Sequence, residues 1–132
     1  MARFERQLKG FGVKTLERVD KIRRSAVLEL FKLVIEGTPF DTGRLRGNWQ
    51  TTINSPATAS IGRLDPSGAA AVAEAVANLG SLVDVIWFTN NLPYAERIEY
   101  DGWSAQAREG MVRKHVVMWR RIVESKAKFY SN

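Results

Sequence analysis

Between residues 13 and 36 the apolar positions recur in steps of three and four. Leu16, Val19, Ile22, Ala26, Val27, Leu30, Leu33 and Val34 fall on one face of a helix, with Arg18, Lys21, Arg24 and Lys32 mostly off it. The spacing predicts an amphipathic helix over 13–36. Gly37 is expected to take a left-handed cap, and Pro39 to stop the ladder. The period then changes to two. Trp49, Thr51 and Ile53 alternate with polar neighbours, which predicts a half-buried strand over 46–54. Ser55-Pro56 breaks it, and a short return strand is expected over 57–63. Ahead of the strand, Asp41-Thr42-Gly43 is turn chemistry: Asp bonds the backbone two residues on, and Gly is free to take positive φ.

Further on, Asp65-Pro66-Ser67 reads as a helix start, with Asp as cap and Pro at the first position. The run GAAAVAEAVANL that follows offers only Val72, Val76 and Leu79 for burial. A small, weakly anchored helix or a mobile excursion is expected over 66–79. SLVDVIWFTNN is apolar on both faces except at Asp84, which predicts a strand over 81–89, central in a sheet or covered at an interface. A second amphipathic helix is expected over 111–128. Val112, Val116, Trp119 and Val123 form its stripe, with His115, Met118 and Ile122 beside it. The outline is α+β, and 132 residues suit a single domain, 1–132.

Charge adds an asymmetry. The net +6 is divided into basic ends and an acidic middle: residues 1–24 hold eight Lys/Arg against three Asp/Glu, 108–132 hold seven against two, and 25–107 hold five against nine. Basic ends suit nucleic acid or an acidic protein surface, and equally the solvated faces of two amphipathic helices. The chain has no Cys, hence no disulfide, no thiolate nucleophile and no zinc ribbon. No apolar run is long enough to span a membrane, and MARFERQLKG has no signal-peptide core, so no membrane partner is expected.

The chemistry that remains is sparse. The one imidazole, His115, lies at the inner edge of a helical stripe, where a packed or hydrogen-bonded core residue is the expected role rather than a catalytic base. Glu96, Glu99 and Asp101 are close in sequence, but i, i+3 carboxylates read equally as a solvated helix face. Asp41 and Asp84 have no spacing that pairs them, and no phosphate-cradling loop is present. The chain is not expected to be an enzyme, and no cofactor or metal is expected. Arg44 and Arg46 beside Trp49 would suit base stacking. The other reading puts Trp49 in the core with both arginines outside. Buried packing is the default for Trp87, Trp103 and Trp119 as well.

Two longer stretches point to a family. TPFDTGRLRGNW at 38–49 follows the first long helix, and NNLPYAERIEYDGWSAQAREGMV at 90–112 precedes the last. Together they resemble the neck and tail-completion proteins of tailed bacteriophages, the group that includes minor tail protein Z-like sequences. That family reads T-P-x-D-T-G-x-L-R-x-x-W early, then N-x-x-P-Y-A-x-x-x-E, a turn with Gln-Ala-Pro, and G-M-V. Here Arg108 stands at the Pro position and Asp101 interrupts the pairing before Gly102, so the loop between is expected to differ.

The resemblance implies a small antiparallel sheet packed against the N- and C-terminal helices. It implies a structural virion protein of the neck, a homo-oligomeric, hexameric ring at the head–tail junction, assembled in the host cytoplasm. Its partners would be other neck and tail proteins: a connector or stopper, and a tail terminator or tail tube. DNA would pass through its lumen without being read. The alternative is a sequence-independent DNA-binding module. On the ring reading the assembly candidates are Asp41, Thr42, Gly43, Arg44, Arg46, Trp49, Asn90, Asn91, Pro93, Tyr94, Glu96, Glu99 and Gln106. Asn90 and Asn91 would satisfy backbone groups at the strand end, Pro93 and Tyr94 would fix a turn, and Glu96 and Glu99 would present acceptors along an edge. Asp41→Ala or Arg46→Ala is expected to impair assembly and leave the monomer folded. Gly43→Val is expected to damage folding.

Overall fold

The computed structural model describes residues 2–131. The helical spacing that begins the chain runs further than the 13–36 expectation, and α1 spans Ala2–Glu36 without a break. Its stripe starts at Phe4, Leu8 and Phe11 and continues as Thr15, Val19, Ile22, Ala26 and Leu30, always in steps of three or four. Only the second half of that stripe is covered. Ala26, Val34 and Ile35 are buried, whereas Phe4, Leu8 and Phe11 are exposed. Gly37 does not take the left-handed conformation expected of it. Thr38 ends the helix instead: its hydroxyl donates to Val34 O at 2.6 Å, and its amide bonds Ile35 O.

A short helical turn, α2 (Arg44–Gly47), then leads into β1 (Trp49–Ile53), so the strand is shorter than 46–54. β1 pairs antiparallel with β2 (Ile86–Asn90) in the register Trp49↔Asn90 to Ile53↔Ile86, and these two strands form the sheet. The return strand expected over 57–63 is not formed. Ser55-Pro56 breaks the ladder, and side-chain amides then take up the backbone groups of this segment: Gln50 donates to Ala59 O, and Asn48 both donates to Ile61 O and accepts from Ile61 N. The first half of the strand expected over 81–89 is also absent. Asp84 closes a turn on Ser81, accepting from its amide at 2.7 Å and its hydroxyl at 3.0 Å, so Leu82, Val83 and Val85 face outward.

The Ala-rich segment forms α3 (Ala69–Ala77), packed on both α1 and β1. Its anchors are Ala71, Ala75 and Leu79, while Val76 is 48% exposed. Small side chains at Ala71 and Ala75 let this helix approach closely, and of the three residues expected to be buried Leu79 is, Val72 packs half-buried against the core, and Val76 does not. Asp65 reaches over the start of α3 to accept from Ala71 N at 2.9 Å, and Gly68, not Asp65, holds the capping position. At its far end, Arg23 and Arg24 of α1 donate to the carbonyls of Leu79 and Gly80, where cations complement a helix C-terminus.

After β2 come α4 (Ala95–Tyr100), a 3₁₀ turn at Ala105–Ala107, α5 (Arg113–Val116) and α6 (Trp119–Phe129). The helix expected over 111–128 is thus divided by a tighter turn, in which Met118 N bonds His115 O. α6 runs back along α1, with Lys126 near Glu29 and the Tyr130 hydroxyl 3.1 Å from Ser25 Oγ. The core gathers Val34 and Ile35 of α1 with Leu45, Trp49, Ala71, Leu92, Ala95, Ile98, Ala107 and Met111. Trp49 stacks on Phe88, which stacks in turn on Phe31. Burial of each such large apolar side chain contributes about 1.5–3 kcal/mol. The result is an α+β arrangement with a small antiparallel sheet, as the hydrophobic pattern predicts.

Candidate assembly surface

The first of the two motifs, 38–49, folds around Arg46. Its guanidinium donates to three carbonyls: Thr38 O, Pro66 O and Glu36 O, each at 2.7 Å. It also lies 4.7 Å over the ring of Phe40. One side chain therefore ties the end of α1 to the loop before α3. Trp49 completes the joint by donating from Nε1 to Thr38 Oγ1 at 2.8 Å. Trp49 is thus a core residue and its ring has no free face for a base. Gly43 has φ +81°, and a Cβ there would stand 2.4 Å from Pro66 N, so this turn requires glycine. Thr42 Oγ1 accepts from Arg44 N at 3.3 Å. Asp41 and Arg44 are exposed.

The second motif, 90–112, folds around Glu99. Its carboxylate accepts from the amides of Met111, Val112 and Arg113 at 2.7–2.9 Å and from Arg113 Nε at 3.1 Å. The Arg113 guanidinium also donates to Glu99 O. Burial pushes this carboxyl up. The amides of Val112, Arg113 and Met111 and the Arg113 side chain outweigh that and hold it below its ordinary value of 4.5. Glu99 is therefore buried and turned inward, not an acceptor on an outer edge. It satisfies the amides that begin α5 and binds the long loop to α4. Glu96, by contrast, is exposed.

At the start of the motif, Asn90 donates to Leu45 O at 2.9 Å and accepts from Leu92 N, while Asn91 donates to Ala57 O at 2.8 Å. Leu92 and Ala95 close the turn that contains Pro93 and Tyr94. Gln106 Oε1 accepts from Phe40 N at 3.4 Å. These contacts draw the two motifs, about fifty positions apart in the chain, against each other. Between them lies a cleft of about 410 Å³, lined from the first by Pro39, Asp41, Gly43 and Leu45 and from the second by Tyr94, Ile98 and Trp103. Arg97 lies 4.5 Å over the Trp103 ring.

Of the thirteen candidates, Asp41, Thr42, Gly43 and Tyr94 meet at this cleft. Arg46, Trp49, Asn90, Asn91 and Glu99 hold the structure behind it. Pattern reading overlooked Arg63, whose guanidinium donates to Gly47 O and Trp49 O and pairs with Glu74 at 3.2 Å. Glu74 also accepts from Thr51 N, so the pair seals the outer edge of β1. Nothing near Arg63 in the sequence marks that role. The remaining tryptophans depart from the buried default: Trp87, Trp103 and Trp119 are 40, 59 and 39% exposed. His115 is buried, with Nδ1 2.7 Å from Met111 O.

A second, wider groove of about 520 Å³ lies where α6 ends beside α1. Lys14, Arg18 and Lys21 line it together with Phe11, Phe129 and Tyr130. Among the described residues there is no group of three or more His, Asp or Glu placed to hold a metal ion, and no helix long and apolar enough to cross a membrane. Comparison with known proteins yields no matching family, no similar characterised protein and no similar solved structure. The likeness to phage neck proteins therefore rests on the two motifs themselves.

Proposed function

We propose that this chain is a non-catalytic structural protein of a bacteriophage neck, forming a ring, hexameric by family resemblance, that joins the head connector to the tail tube and lets DNA pass. The observation that carries the reading is the convergence of the two family-like motifs on one exposed cleft. Their inward residues, Arg46, Trp49, Asn90 and Glu99, build a rigid support through hydrogen bonds. Their outward residues, Asp41, Tyr94 and Trp103, present one continuous surface. A support that is internally satisfied and carries no free nucleophile–base pair suits recognition of a protein surface. A closed ring also requires two different complementary surfaces on each subunit. Native mass measurement of the purified chain with negative-stain imaging tests this: closed rings are expected, and a monomer at every concentration, alone and with tail and connector fractions, refutes it.

A sequence-independent DNA-binding module is the second reading, favoured by the groove in which Lys14, Arg18 and Lys21 converge beside Phe129 and Tyr130. Phosphate-driven binding there falls steeply with salt, at a slope of about −0.9 per neutralised phosphate on double-stranded DNA. A duplex titration from low to high ionic strength distinguishes it: micromolar binding with that slope supports DNA contact, and no binding at low salt removes it.

A further inference from the structure

We infer that the exposed head of α1, residues 2–12, docks in the Asp41–Trp103 cleft of a second copy of the chain. The inference rests on the ring-forming reading and names its contact. On this arm Phe4, Leu8 and Phe11 are 59, 54 and 72% exposed, although they lie on the stripe that becomes core-facing at Ile22 and Ala26. The arm also carries Gly10 and Gly12, each costing about 1 kcal/mol in a helix interior. As the end of a longer helix, this stretch has no packed face to give it the tertiary support that most helical stability comes from. Covering the stripe offsets that cost.

The cleft has the complementary chemistry. Its walls are Pro39, Leu45, Tyr94, Ile98 and Trp103, and its volume falls in the range of about 300–1,000 Å³ typical of sites that bury an apolar group. Asp41 lines it, is exposed, and forms no ion pair among the described residues. The arm brings Arg3, Arg6 and Lys9 against one acid, Glu5. Aromatic knobs flanked by cations thus meet an apolar cleft with a free carboxylate. Charge pairing of this kind sets register and partner choice.

Geometry then selects a second copy. α1 is uninterrupted for 35 residues, so Phe4 and Glu36 lie about 48 Å apart at 1.5 Å per residue. The cleft begins at Pro39, just past the far end of this rod, so an arm cannot reach the cleft of its own chain. Each chain carries the arm and this cleft at opposite ends, which is the arrangement of a head-to-tail contact. Pairing of arm with arm would instead set Arg3, Arg6 and Lys9 against their own copies.

The absence of cysteine from the chain makes the test direct. Phe11→Cys and Thr42→Cys are prepared singly, mixed and mildly oxidised. Crosslinks between the two variants are expected, and Leu8→Glu in the arm is expected to abolish them and the oligomer while leaving the melting temperature unchanged at dilutions where the wild type is also monomeric. Crosslinking of Phe11→Cys mainly to itself, or oligomers indifferent to Leu8→Glu, overturns the inference, as does a wild-type chain that never associates. Closed rings without the crosslink leave the neck reading standing and remove only this contact. Crosslinked open chains that never close retain the contact and remove the ring.

Discussion

At Glu99 a single carboxylate replaces what would otherwise be three unpartnered amides. It is buried, accepts from Met111, Val112 and Arg113, and carries a depressed pKa because those donors outweigh its desolvation. A group whose folded pKa lies below its unfolded value adds stability above the unfolded value and loses it as pH falls through the folded one. Stability is therefore expected to decline as pH drops below about 4.5, the ordinary value for this group. Glu99→Gln keeps the shape but turns an amide donor toward backbone donors, so it should cost about 2–3 kcal/mol at neutral pH and flatten the acid limb. Urea denaturation of both proteins between pH 3 and 7 checks this. Equal acid sensitivity in the variant would show that other carboxylates govern that limb. In sequence, Glu99 was legible as a motif position but not as a buried one. Its i, i+3 relation to Glu96 reads as a solvated face, and only the fold shows the 111–113 amides arriving above it.

The elements were legible where burial and periodicity agree, and illegible where small or polar residues do the packing. The second half of α1 has large apolar residues at helical spacing, and the pattern locates it. α3 has alanines, which carry no such signal, and of its two valines Val72 packs half-buried against the core while Val76 faces outward. Ala75 is 0% exposed while Val76 is 48% exposed. Ala75→Leu is accordingly expected to destabilise by about 1–3 kcal/mol through overpacking against α1 and β1, whereas Val76→Ala should stay within about 0.5 kcal/mol. Chemical denaturation of the two variants separates these outcomes, and the reverse order would mean that α3 is anchored by its valines after all. The missing strand over 57–63 has the same origin. Asn48, Gln50 and Asn91 bond that segment by their side chains, and alternation of apolar residues cannot reveal a segment held by amides.

For the whole molecule, the two motifs divide into a support and a surface, and that division changes what two substitutions should do. Sequence alone treats Asp41→Ala and Arg46→Ala alike, as harming assembly and sparing the fold. Arg46 instead donates to Glu36 O, Thr38 O and Pro66 O, so its loss leaves three carbonyls in two segments without their partner and frees the end of α1 from the loop before α3. Arg46→Ala is expected to lower stability by about 2–3 kcal/mol, with assembly failing as a consequence. Asp41 is exposed and forms no ion pair among the described residues, so Asp41→Ala should melt within about 0.5 kcal/mol of the wild type and still associate less well. Salt should mimic that second effect, because screening shortens the reach of an exposed carboxylate to about 8 Å at physiological ionic strength. Denaturation midpoints measured beside native mass at low and high salt decide the matter. Asp41→Ala that assembles like the wild type at low salt would place the contact elsewhere on the surface. A stable Arg46→Ala monomer would mean that the three carbonyls find water at little cost, and that Arg46 belongs to the surface rather than to its support.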